Sequence, residues 1–372
     1  MSARLTSFAL IVSITCGAYA YDVTVRWNEV HQKISGFGAG NGCGGAYSNL
    51  NPGTGEGWNI RRLPEPARTE CLNLLFDSTK GIGLNCFRFG ESWELEDPDG
   101  TWHWGAGRGP QEVWIAKEAL KRNSNMKFWS APWTPPLWMK TEQTVGGGAL
   151  QRQYYQRYAD YKCRFIREMK EKEGIQMMGN SLQNEPHFNP SYGGCNYTPE
   201  NIRDFVRDYF GPTLVREGLA DVKIMIPESN EAQPQWAQAA MNDPEAAKYV
   251  GILAWHQYND GNQPYFGTVE GKETWFTEVG HDPWGGMGYT GWNEALWVHN
   301  QLYGAIVNND ANSWSYYQFA GDGNGGLAAV DGANFDVTAK DVWWVGHYSK
   351  FVRPGWVRIG TSVKRVGDGA ML

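Results

Sequence analysis

The sequence predicts an α/β protein of the (β/α)8 barrel class. Apolar, strand-like runs alternate eight times with helical patterns, and the helical stretches carry their apolar residues three and four apart on one face. Two of the strand-like runs, Asn180-Ser181-Leu182-Gln183-Asn184-Glu185-Pro186 and Glu273-Thr274-Trp275-Phe276-Thr277-Glu278-Val279, end in a carboxylate. Strand C-terminal ends are where such a barrel exposes its chemistry.

Taken in order, residues 1–20 read as a secretory leader. Arg4 supplies the positive end, Phe8 to Cys16 the apolar run, and Ala18-Tyr19-Ala20 a small-x-small cleavage site, so a secreted, extracellular protein is expected. Residues 21–31 alternate Val23, Val25 and Trp27 outside the barrel, as a strand of a side β-structure would. The barrel is assigned to residues 32–353. Ile34-Ser35-Gly36-Phe37-Gly38 opens it and runs into a glycine-rich loop. That loop holds a Gly40-x-Gly42-x-x-Gly45 spacing, but no helix follows it directly, so a dinucleotide site is not expected.

Strands are then expected over Leu84–Phe89, Lys127–Trp133, Met177–Gln183, Val222–Glu228, Gly251–Gln257, the run into Glu278, and Ser313–Phe319. Helices alternate with them over Pro66–Asp77, Gln111–Arg122, Tyr155–Lys172, Glu200–Glu217, Gln235–Met241, Asn293–Val307 and Ala339–Val352. Residues 354–372 begin another strand, too few residues for a whole side domain, so a small, incomplete side β-structure from the two terminal segments is expected.

A chain of 372 residues accommodates a barrel of about 250 with room to spare. The net charge of −7 speaks against nucleic acid or an anionic membrane surface as partner, and no apolar run is long enough to span a bilayer. Nineteen Trp and eighteen Tyr against a charged fraction of 20% favour a surface that stacks on sugar rings, although most single tryptophans are core residues. Past the leader the cysteines are Cys43, Cys71, Cys86, Cys163 and Cys195, an odd number. Cys43 and Cys195 both lie in glycine-rich sequence and are the expected bridge, and Cys86 is an expected buried thiol. Neither cysteines nor histidines show zinc-ligand spacing, so no metal and no cofactor are expected. Asn196-Tyr197-Thr198 fits the N-glycosylation pattern.

Two strand-end carboxylates point to glycoside hydrolysis, in which one group protonates the leaving oxygen and the other attacks or activates water. Taken singly, either glutamate reads as a solvated turn residue. Asn184 before Glu185, Pro186 after it and Trp275-Phe276 ahead of Glu278 decide for a site. His187 and His281 follow the two glutamates closely but are read as solvated loop residues.

The motifs resemble glycoside hydrolase family 30, a retaining (β/α)8 family. The resemblance rests on Ile34 to Gly38, on Ser130-Ala131-Pro132-Trp133-Thr134-Pro135-Pro136-Leu137-Trp138-Met139-Lys140, on Ser181 to Pro186, on His256-Gln257-Tyr258, on Phe276 to Val279 and on Tyr348 to Gly355. It implies Glu185 as acid/base and Glu278 as nucleophile. It implies Asn184 on the sugar 2-hydroxyl, Arg88 holding the nucleophile ionised, Tyr258 beside the nucleophile and Trp133 as an aromatic wall before the cleaved bond. Ile226-Pro227-Glu228-Ser229, Met241-Asn242-Asp243-Pro244 and Tyr348 to Arg358 look most like the xylanase branch. Its glucuronoxylan-specific members clamp the uronate with an arginine after the eighth strand. No arginine occurs here between Arg216 and Arg353, and Asp322 falls in that region, so an endo-β-1,4-xylanase without strict glucuronate requirement is expected. The alternatives are a β-1,6-glucanase or galactanase, a glucosylceramidase with Pro135, Pro136, Leu137 and Trp138 as apolar rim, and an inactive carbohydrate-binding barrel. A monomer acting on polysaccharide or oligosaccharide is the expected form.

Overall fold

The structure, a computed structural model, describes residues 21–40, 60–106, 109–190, 193–258, 267–280, 292–321, 326–331, 334–336 and 340–365. It separates into two compact units, one holding Gln32–Trp356 and the other built from the two terminal segments.

In the larger unit the strands β2 (Gly36–Gly40), β3 (Cys86–Glu91), β4 (Lys127–Pro132), β5 (Met177–Ser181), β6 (Lys223–Ser229), β7 (Val250–His256), β8 (Glu273–Glu278) and β9 (Ser313–Gln318) form a closed parallel barrel, with β9 pairing back onto β2. Helices α1 (Ala67–Phe76), α2 (Gly109–Arg122), α3 (Tyr155–Glu173), α4 (Pro199–Phe205), α5 (Gly211–Arg216), α6 (Gln235–Met241), α7 (Pro244–Ala247), α8 (Trp292–Tyr303) and α9 (Asp341–Ser349) connect the strands. The helix expected over 200–217 is interrupted by a π-helical turn at Val206–Phe210, between α4 and α5. Three short strands that sequence periodicity missed, β10 (Ala320–Gly321), β11 (Ala328–Asp331) and β12 (Asn334–Asp336), follow β9 as a small separate sheet. Runs of two to four residues are too short to show a period.

The two terminal segments form a ribbon in which β13 (Val357–Arg365) pairs with β1 (Tyr21–Lys33). Val23, Val25 and Trp27 are all exposed.

The opening glycines of the barrel are required by close packing. Gly36 has φ +147°, and a Cβ there would lie 2.3 Å from the Asn85 amide; one on Gly38 would lie 2.0 Å from the Cys86 carbonyl. The barrel interior is filled by Cys86, Trp129, Ala131, Met225, Ile252, Ala254 and Trp275, all fully buried. Trp129 and Trp275 meet edge to face at 6.4 Å. This packing is solid, so the space for a ligand lies above it, at the strand C-terminal ends.

The outer layer is fastened by a buried ion pair. Lys162 of α3 reaches both oxygens of Glu91, at 3.2 and 3.0 Å, and Ser130 and Asn180 donate to the same carboxylate at 2.9 and 2.7 Å. A buried charge holds in the interior only when paired and hydrogen-bonded in this way.

The expected Cys43–Cys195 bridge is corrected: Cys195 is a free, fully buried thiol, and burial pushes it up to about 12. Cys43 lies outside the described residues. Sequence showed only a loop-like neighbourhood, not that the chain folds over that loop. Among the described residues no helix is long and apolar enough to cross a membrane.

Candidate active site

Arg88 rises from the middle of β3 into the mouth of the barrel and is 2% exposed. Its guanidinium lies 5.1 Å over the ring of Trp129 and 4.8 Å over that of Trp133. The fork has three partners: Nη1 donates to Glu278, and Nη2 donates to Asn184 Oδ1 at 2.5 Å and to Glu228 Oε2 at 2.8 Å. A planar donor between two carboxylates and an amide is the arrangement that guanidinium serves and an ammonium does not.

Glu278 is the last residue of β8 and is 5% exposed. Tyr258, two residues past β7, donates its hydroxyl to Glu278 Oε1 at 2.9 Å, while the residue as a whole remains 38% exposed. Glu185 follows β5 in the left-handed region at φ +48°, and its amide donates to the carbonyl of Glu228, itself at φ +58°. Asn184 is fixed by its amide on the Pro132 carbonyl, 2.8 Å away. Gln183 ties this turn to β4 by donating to the Trp133 and Asn184 carbonyls.

Of the six residues singled out in the sequence, Trp133, Asn184, Glu185, Tyr258 and Glu278 stand at or just past strand C-terminal ends, and Arg88 reaches Glu278 and Asn184 from the middle of β3. Two more belong to the same cluster. His256, the last residue of β7, is fully buried, with Nδ1 3.0 Å from Glu185 Oε1 and Nε2 3.7 Å from Glu278 Oε2. Glu228, also fully buried, is the second carboxylate on Arg88. His256 and Glu228 were each read only as part of a motif. The available signal is position, since Glu228 ends one run expected to be a strand and His256 is the last residue but one of another.

One oxygen of Glu185, one oxygen of Glu278 and a ring nitrogen of His256 lie within 4.8 Å of one another. Arg88 already places a cation on Glu278, and His256 Nδ1 is engaged by Glu185, so these atoms are committed to one another. Burial raises the Glu185 carboxyl above its ordinary range, with the Glu278 charge adding to the effect and the bond to His256 opposing it. Glu278 is also pushed up by burial, but the positive charges of His256 and Arg88 outweigh this and hold it below the usual carboxylate range. His256 is pushed down by burial and raised, on balance, by the surrounding glutamates. The two carboxyls are thus shifted in opposite directions, Glu185 toward its acid form and Glu278 toward its ionised form.

His187 packs flat on Trp236 at 4.5 Å and pairs through Nε2 with Asn230 Oδ1, a structural arrangement. His281 and Asp322 lie outside the described residues. Of the proposed apolar rim, Pro135 and Pro136 are buried, and Trp138 is turned inward, donating to the Glu96 carbonyl and packing on Tyr154.

Residues 111–273 match the glycosyl hydrolase family 30 TIM-barrel domain. A putative glucosylceramidase of Caenorhabditis elegans is 32% identical over 92% of this chain and 71% of its own length. The chain belongs to glycosyl hydrolase family 30. It is therefore a glycoside hydrolase, and its substrate class is carbohydrate. A glucuronoxylanase of Bacillus subtilis within family 30 is 30% identical over 68% of this chain and 57% of its own length. The catalytic domain of a family 30 xylanase from Talaromyces cellulolyticus superposes with a TM-score of 0.77 at 23% identity, covering 91% of this chain and 81% of that one. Family 30 membership fixes the reaction class and leaves the glycan open, since relatives named for two different substrates are nearly equally similar.

Proposed function

We propose that this chain is a secreted, retaining endo-β-1,4-xylanase without strict glucuronate requirement, in which Glu278 is the nucleophile and Glu185 the acid/base. The observation that carries the mechanism is the approach of the two carboxylates to within 4.8 Å at one oxygen each. Retaining glycosidases hold their carboxyls about 5 to 5.5 Å apart, whereas inverting enzymes leave about 6.5 to 9.5 Å for a water. In this reading Arg88 and Tyr258 hold Glu278 ionised and aimed at the anomeric carbon. Asn184 meets the sugar 2-hydroxyl, a contact that strengthens in the transition state, and Trp133 forms the wall against which the ring is seated.

The substrate proposal rests on two features. No arginine between Arg216 and Arg353 is present to clamp a uronate. The stretch that would serve as a lipid-facing rim is largely buried, which favours a polysaccharide over a glycolipid. The second reading, a glucosylceramidase, is favoured by the 32% identity to the nematode protein over nearly the whole chain.

Release of reducing sugar from arabinoxylan, glucuronoxylan, β-1,6-glucan, β-1,6-galactan and a glucosylceramide, with Glu278→Gln as control, tests both. Cleavage of xylans with and without uronate, lost in the control, is expected, and the first-formed product has the β configuration. Cleavage of the glucosylceramide alone replaces the xylanase reading with the second one, and inversion at the anomeric carbon overturns the mechanism.

A further inference from the structure

The centre holds more charge than a pair of catalytic carboxyls requires. Arg88 on β3, Glu185 after β5, Glu228 on β6, His256 at the end of β7 and Glu278 on β8 are buried together, with the half-exposed Tyr258 beyond β7 donating to Glu278 and Tyr317 of β9 beside Tyr258. The Lys162–Glu91 pair stands behind them on the outer layer. Three side-chain atoms in the cluster, Arg88 Nε, Glu228 Oε1 and His256 Nε2, are buried without a hydrogen-bond partner, and His256 Nε2 lies 4.0 Å from Glu228 Oε2. Buried polar atoms without partners carry a full desolvation cost and are kept where they serve the chemistry.

This inference rests on the double displacement proposed above. In its first half an oxygen of Glu278 bonds to the anomeric carbon. The glycosidic C–O bond breaks, and its electron pair goes to the leaving oxygen, which takes the Glu185 proton. Glu278 thereby changes from anion to neutral ester and Glu185 from neutral acid to anion. In the second half Glu185 takes a proton from water and the water oxygen bonds to the anomeric carbon. The electron pair of the ester bond returns to Glu278. The anion therefore shuttles between Glu278 and Glu185, one on each side of the His256 ring.

Arg88 loses one of its two carboxylate partners each time Glu278 becomes an ester. Its other carboxylate partner is Glu228, whose backbone carbonyl accepts from the Glu185 amide. With Arg88 and His256 as cations, and Glu228 plus whichever of Glu185 and Glu278 is ionised as anions, the centre is neutral at every stage. Removing the Glu228 charge leaves two cations facing one anion.

We propose that Glu228 is a positioning residue whose charge never turns over: it remains the counter-ion of Arg88 while the negative charge moves from Glu278 to Glu185 and back. It thereby keeps His256 an imidazolium for whichever carboxylate is charged.

The test uses the full chain with Glu228→Gln and Glu228→Asp. Proton NMR titration of His256, assigned by loss of its resonance in His256→Gln, needs no turnover. In Glu228→Gln its midpoint falls by at least about one pH unit, and in Glu228→Asp it stays near that of the parent. On an aryl β-xylobioside, the alkaline limb of kcat/KM in Glu228→Gln shifts to lower pH by a similar amount. Its kcat at the parent optimum falls about tenfold or more with KM little changed, and activity recovers on acidification. An unmoved His256 midpoint in Glu228→Gln, or a loss of kcat even across the whole pH range, overturns the proposal. Should Glu228→Gln not fold, the unaltered protein inactivated by the dinitrophenyl glycoside of 2-deoxy-2-fluoroxylobiose decides. His256 that stays protonated at neutral pH in the trapped ester supports the counter-ion, and His256 that deprotonates on trapping overturns it. A parent protein that cleaves no β-glycoside contradicts the proposed function, while the titration of His256 still decides the role of Glu228.

Discussion

The amide of Glu185 donates to the carbonyl of Glu228 across 2.9 Å, and both glutamates sit in the left-handed region, at φ +48° and +58°. Two left-handed non-glycine residues bound to each other fix the direction in which each side chain leaves the backbone. Such conformations cost on the order of 1–3 kcal/mol each and persist where the surrounding structure over-determines them. Glu185→Gly relieves this strain and removes a buried carboxyl, so the melting temperature is expected to rise or hold while hydrolysis is lost. A marked fall in melting temperature would show that the turn depends on the Glu185 side chain.

Glu185→Gln keeps the shape of the acid without its proton. On substrates with a poor leaving group kcat is expected to fall by about 10² to 10⁴, the usual contribution of a general acid. With a dinitrophenyl leaving group, which needs no protonation, the loss in the first half-reaction is expected to be small. Equal losses on both substrates would remove Glu185 from the acid role.

Arg88→Lys retains a charge and loses the fork. The ammonium cannot reach Glu278, Glu228 and Asn184 together, and a buried carboxylate left without its partner costs about 3–5 kcal/mol. Chemical denaturation is expected to show destabilisation of that order, with kcat reduced more than KM is raised. Unchanged stability would mean that the buried carboxyls find other partners.

The sequence was most legible where a period was long and a motif ended it. All eight barrel strands were expected within a few residues of where they occur, because alternating apolar runs next to amphipathic helices have few ways to pack. Arg88, Asn184, Tyr258 and Trp133 come from the resemblance to family 30, whereas Glu185 and Glu278 are legible because each follows or closes such a run. His256 and Glu228 occupy equivalent positions and were passed over, since their role depends on distances between different strands, which no local pattern carries. Cys195 shows the opposite error. Its glycine-rich surroundings look exposed, yet the chain buries it completely.

The pH dependence of stability follows from three shifted groups. Glu278 lies below its ordinary value of 4.5, so its contribution is present above that pH and is lost as pH falls through its folded value. His256 lies above its ordinary 6.5, so its contribution is complete below that pH and is lost as pH rises through its folded value. Glu185, raised from 4.5, acts in the same sense as His256. Stability is expected to be greatest on the acid side of neutrality. Thermal melts across pH check this, and a maximum well above neutrality would contradict the signs.

Cys71, Cys163 and Cys195 are each pushed up to about 12 by burial, and Cys86 to about 11. A thiol that is neither ionised nor accessible does not react. Alkylation of the native protein without reductant is expected to leave all four unmodified, and unfolding is expected to expose all four. Failure of Cys195 to alkylate after unfolding without reductant would restore the bridge.

Trp129 and Trp275 fill the barrel below the site, buried and packed edge to face. The leaving fragment and the water that completes a double displacement therefore both use the end of the barrel above that packing, where Arg88 and Glu278 stand. In such a cycle the first fragment and the hydrolytic water take turns at one face of the barrel, and the filled interior supplies no second compartment in which they could be kept apart.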